Sequence, residues 1–132
     1  MRLELKTEPV GDIVADATLW SHLRVDASGS PAEPEDADYI RMLREMAASY
    51  LDGANGVMGR ALLTQSWYGR LDAFPGGGGK IAIPLPPLQS IDAVNYVNAQ
   101  GVSRLLDAGA YQIVKGRFGS WITPAYGKNW PS

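Results

Sequence analysis

Along the first 56 residues apolar side chains recur at helical steps, and beyond residue 58 they come in short runs separated by glycine and proline. Ile40, Leu43, Ala47, Leu51 and Ala54 fall three or four apart, with Arg41, Arg44, Glu45 and Asp52 off that stripe, which predicts an amphipathic helix over 36–53. Asp36 and Asp38 suit its positive first turn, and Gly53, Asn55 and Gly56 tolerate the backbone that ends a helix. Tyr39, Met42, Met46 and Tyr50 extend its apolar surface beyond one stripe, so the helix is either buried on two sides or meets another subunit with its second face. A shorter helix is predicted over 16–24, with Leu19, Trp20 and Leu23 on one side and Asp16 near its start; Trp20 reads as a core or interface anchor. Between the helices the small, polar, twice-proline stretch 27–35 is a loop. At the N-terminus Leu3 and Leu5 alternate with Arg2, Glu4 and Lys6, as in a short strand or extended arm.

The second half follows strand rules. Residues 61–71 are rich in Leu, Thr, Trp and Tyr, 80–84 alternate, and Pro84, Pro86 and Pro87 break the run. A strand over 91–97 is predicted with Ile91, Ala93, Asn95 and Val97 on one face and Val94 and Tyr96 on the other. The turn at 98–101 should return it as a hairpin through 102–106, and two more strands, 111–114 and 120–122, flank a turn at 116–119. Trp67, Tyr68, Tyr96, Tyr111 and Trp121 should pack these strands. The expected architecture is α+β: N-terminal helices, one of them long and amphipathic, followed by a small antiparallel β subdomain of hairpins. All of it lies in a single domain, 1–132, mainly helical over 1–56 and mainly β over 57–132.

A chain of 132 residues buries roughly two thirds of its unfolded surface on folding, enough for a core without staples. The absence of cysteine removes disulfides, thiolate metal sites and thiol catalysis. With no run of eighteen apolar residues and no secretory leader, the chain is expected to be soluble and intracellular at synthesis. The net charge of −2 argues against a coat that grips nucleic acid by neutralising phosphates. Its distribution is uneven: residues 1–56 carry 5 basic and 11 acidic side chains, and residues 57–132 carry 7 and 3. Such halves either attract one another between copies or are simply two solvated surfaces.

Candidate chemistry is sparse. The string at 74–80, FPGGGGK, invites a phosphate loop, but Phe74 stands where the first glycine belongs, Ile81 stands where Ser or Thr belongs, and a strand follows instead of a helix. Gly76, Gly77, Gly78, Gly79 and Lys80 are read instead as a flexible hairpin tip able to touch a partner. His22 is the single histidine, with Asp26 four residues on as a weak helical pair. The acidic run at 35–38 lacks the glycine and closing Glu of a calcium hand. No catalytic group, cofactor or metal site is expected.

Several strings then occur in order: HLRVD at 22–26, GRALLTQSW at 59–67, LDAFPGG at 71–77, IPLPPLQSIDAVNYV at 83–97, and the Trp130–Pro131 pair. As a set they resemble the head-tail connector, or adaptor (head completion), proteins of long-tailed bacteriophages and of phage-derived gene transfer agents, over nearly the whole chain. The resemblance implies a structural virion protein of the neck, without enzymatic activity. It implies a homo-oligomeric ring, dodecameric in the particle, beneath the portal protein, joining the DNA-filled head to the next neck or tail component. DNA would transit the lumen as cargo, no membrane would be involved, and the chain would reside in host cytoplasm before assembly. On that reading Trp20, Tyr39, Met42, Met46, Tyr50 and the segment Gly76 to Lys80 are candidate subunit or partner contacts. Two departures stand out: Ala15 to Trp20 replaces the Leu-Ala-Glu-Ala-Lys-like helix start of relatives, and relatives continue past Trp-Pro into a further segment. If that segment meets the portal, the contact is made differently here or the chain is a shortened form. A free-standing β-rich module binding peptide or carbohydrate through Trp and Tyr is the alternative from another class; a hydrolase lacks a nucleophile and base at recognisable spacing.

Overall fold

The computed structural model describes residues 1–29 and 32–131, so Ser30 and Pro31 of the predicted 27–35 loop, and Ser132, lie outside the described residues. The chain is mixed α+β, with two α-helices and seven strands among the described residues. Its order is β1 (Arg2–Thr7), α1 (Asp16–Leu23), α2 (Ala37–Leu51), β2 (Ser66–Arg70), β3 (Ile81–Ile83), β4 (Asn95–Val97), β5 (Ser103–Leu105), β6 (Tyr111–Lys115) and β7 (Ser120–Pro124). Two compact units divide it: Leu5–Ser66 is helical, and Met1–Glu4 with the chain from Trp67 onward is built of strands. The change of unit therefore falls at Ser66 and Trp67, ten residues beyond the change in hydrophobic period.

In the helical unit α1 ends at Arg24, whose left-handed backbone (φ 56°) is one that glycine favours. It is held by its N–H to the Ser21 carbonyl and by Val25 N–H to the Trp20 carbonyl. The face that α2 turns inward is only in part the stripe predicted from apolar spacing, sharing Ile40 and Leu51 with it. Leu43, Ala47 and Ala54 are exposed, whereas Ala37, Ile40, Arg41, Arg44, Ala48 and Leu51 form the covered side. The reason is electrostatic: carboxylates of α1 and of the segment before α2 draw the two arginines inward, rotating the helix away from its apolar stripe. Past α2, Asp52 ties the following segment back by accepting from Leu62 N–H at 2.6 Å and from Gln65 Nε2 at 2.9 Å, and Gly53 N–H donates to the Arg60 carbonyl at 3.0 Å. That irregular return occupies the first part, 61–65, of the predicted 61–71 strand, so β2 begins only at Ser66.

The β unit contains the apolar core: Ile81, Leu106, Ile122 and Trp130 are buried, with Phe74, Ile83, Ile91, Val94, Tyr96, Ala110 and Tyr111 packed against them. Its main sheet is antiparallel in the order β3-β7-β6, so Ile122 of β7 lies between Ile81 and Ile113 of its neighbours. β4 and β5 form the predicted hairpin. Its turn is fixed locally: Asn98 Oδ1 accepts from the N–H groups of Gln100 and Val102, and Gly101 takes φ +75°, where a side chain would be strained. Of the two expected faces, the one with Val94 and Tyr96 packs inward while Ala93, Asn95 and Val97 are exposed, and Ile91, before β4 begins, also packs against the core. β1 pairs with β2 in a separate two-stranded sheet.

The glycine run is not a hairpin tip. It forms a single 3-10 turn, Gly76–Gly78, in a link between β2 and β3, which belong to different sheets. Gly77 and Gly78 adopt positive φ, and the Gly79 carbonyl accepts the Trp130 indole N–H at 2.6 Å. Trp130 in turn stacks on Phe74 at 4.9 Å and 9°.

Candidate interaction surface

The predicted contact residues fall into three environments. Trp20 is buried in the helical unit beneath the Arg41 guanidinium, which lies 5.5 Å from its ring. Arg41 is the centre of an ionic cluster: it reaches Asp16 of α1 at 2.7 Å, Glu33 at 2.6 Å and Asp38 one helical turn back at 3.2 Å. Arg44, a turn further on, meets the other oxygen of Asp16 at 2.5 Å, Asp12 at 2.9 Å and the Val14 carbonyl at 3.1 Å. The Arg41 guanidinium, and then Arg44, hold the Asp16 carboxyl below the usual carboxylate range against an opposing push from burial, while Asp16 and Glu33 raise Arg41 above its ordinary value. This cluster joins α1 and the segment before α2 to one side of α2. Four carboxylates, Asp12, Asp16, Glu33 and Asp38, surround the two guanidiniums, so the cluster fastens these segments together.

Tyr39, Met42, Met46 and Tyr50 occupy the opposite side of α2, and all are exposed. Leu43, assigned to the core by its spacing, belongs with them. Their spacing places them in one continuous strip along the helix, with Asp38 and Glu45 along one border. Between them lies an open depression lined by Met42, Glu45, Met46, Ser49, Tyr50 and Asn55. α2 is therefore two-sided: one face is fastened by ion pairs, and the other leaves Tyr39, Met42, Leu43, Met46 and Tyr50 exposed.

Gly76 to Lys80 sit in the β unit, where the glycines are pinned by Trp130 and Lys80 Nζ lies over the Trp121 ring at 4.9 Å. A second depression, lined by Met1, Arg2, Arg70, Leu71 and Asp72, lies beside the Glu4–Arg70 ion pair (3.1 Å). His22 is exposed, and Asp26 accepts from the Ser28 N–H at 2.9 Å. Among the described residues no group of three or more His, Cys, Asp or Glu is placed to hold a metal ion. No helix among them is long and apolar enough to cross a membrane.

Sequence reasoning missed the tip of the β6–β7 hairpin. Phe118 is 83% exposed there, with the Arg117 guanidinium 5.3 Å from its ring. The signal was present: a phenylalanine between glycines in a turn has no strand to pack and no core to enter. Tyr126 is likewise almost fully exposed.

No family model, curated protein or solved structure matches the chain. Function must therefore be argued from the ordered strings of the sequence and from the surfaces just described.

Proposed function

We propose that the chain is an adaptor subunit of the neck of a long-tailed phage or gene transfer agent. Twelve copies would form a ring beneath the portal and join the DNA-filled head to the next neck or tail component, with DNA passing through the lumen. The role is structural, not catalytic. The observation that carries this reading is the ordered succession of connector-like strings from HLRVD to Trp130–Pro131. Three of those strings meet in space: Phe74, the group Ile83, Ile91, Val94 and Tyr96, and Trp130 share one core.

Two surface features agree with the role. The outer face of α2 gives an amphipathic helix a second apolar side to offer a neighbour. The opposite charge balance of the two halves suits contacts between different surfaces of identical copies. A net charge near zero also suits a channel through which DNA must slide without being held.

Light scattering on the purified chain, alone and with its portal protein, tests the reading. The chain alone should run as a monomer or weak oligomer, and a ring should form on the portal. A stable ring of the isolated chain, or no binding to the portal, contradicts it.

A further inference from the structure

We infer that the apolar strip of α2 is the socket for the β6–β7 hairpin tip of a second copy, so that copies join head to tail. This rests on the reading above that copies assemble, and it names the contact they use. The socket is the depression around Met42, Met46 and Tyr50, bordered by Glu45. Methionine suits such a site because its unbranched, polarizable chain moulds to an inserted ring. The plug is Phe118, carried on a narrow hairpin that closes Lys115 against Ser120 through four residues.

Charge selects this plug over the other exposed aromatics. The socket is acidic at its border and lies in the half of the chain with 11 acidic and 5 basic residues; the hairpin lies in the half with 7 basic and 3 acidic. Arg117 is next to Phe118, and its guanidinium rests on that ring, leaving its charge for Glu45 of a neighbour. Tyr126 is the rival plug, but its nearby cation, Lys128, already donates to the Gly109 carbonyl at 2.9 Å. Socket and plug belong to different units, and the side chains of both are exposed. One socket and one plug per copy make the contact heterologous: every copy can receive one neighbour and insert into another, which gives a ring when the rotation closes.

The chain has no cysteine, so introduced thiols are unique. Full-length Ser49→Cys protein and Gly119→Cys protein, which keep the socket methionines and the Phe118 ring, are mixed at millimolar concentration and treated with a short bis-maleimide cross-linker; a mixture of Ser49→Cys and Val10→Cys proteins is the control, because Val10 is 89% exposed. The expected result is a mixed dimer at several times the control yield. Adding Glu45→Arg to the first protein should lower that yield, and adding Arg117→Glu to the second should restore it. A yield equal to the control, or a loss that the charge exchange does not restore, overturns the contact, and so does socket capture by the portal alone. Control-level cross-linking with ring formation on the portal intact removes this contact and leaves the adaptor reading standing. Strong cross-linking without a ring on the portal does the reverse.

Discussion

Trp130 shows how one side chain can organise a segment 51 residues earlier in the chain. Its ring stacks on Phe74, and its N–H satisfies the Gly79 carbonyl, so the most flexible stretch of the sequence is held by the most rigid kind of side chain. Replacing Trp130 by Phe keeps a ring for the stack but strands that carbonyl. The expected cost is roughly 1–3 kcal/mol, the penalty for leaving a covered acceptor unpaired. Trp130→Ala removes the ring as well and should cost about 3–5 kcal/mol, as for other large core truncations. Urea unfolding of the two variants checks the order: an undiminished Trp130→Phe would show that the hydrogen bond contributes nothing, and equal losses would show the same of the ring stack. The sequence shows that four glycines make a non-regular segment, because that follows from backbone entropy at the site itself. It does not show a distant indole closing over them. A flexible tip is therefore the natural expectation, and a pinned turn is the outcome.

Among the elements, α2 carries the clearest lesson about what spacing can establish. That 36–53 is helical could be read from the period, and the helix runs from Ala37 to Leu51. Which side faces inward could not, because apolar residues nearly encircle it and the deciding partners of Arg41 and Arg44, namely Asp16, Asp12 and Glu33, are 8 to 32 residues away. The β4–β5 turn was legible for the converse reason: Asn98 and Gly101 settle it within five residues. In β4 itself alternation gave two faces but not their destination, since a slip of one residue exchanges them. The fastening of α1 to α2 makes a pH prediction. Asp16 has its proton affinity lowered in the folded state, so its contribution is fully present above its ordinary value of 3.8 and is lost as pH falls below that toward the depressed folded value. Asp16→Asn should lower the thermal midpoint at pH 7 and lessen the further loss between pH 4 and pH 2. Melting curves across that range check it, and an unchanged midpoint at pH 7 would remove the cluster from the forces holding α1.

For the whole molecule, a compact framework and an unbalanced surface belong together. The β unit holds an apolar core and exposes Phe118 on a hairpin tip, whereas the helical unit leaves a strip of Tyr, Met and Leu on the outside of its main helix. A subunit that works by joining others requires such a division: one region to hold shape and one to meet neighbours. The fold class could be read from the change in period, and the unit boundary lay later because Asp52 draws residues 53 to 65 back toward the helices. The proposed neck role has a direct genetic consequence. Particles produced by a strain lacking this chain, viewed by negative-stain electron microscopy, should be filled or emptied heads without tails, with free tails in the same preparation. Tailed particles of normal appearance from that strain would contradict the account.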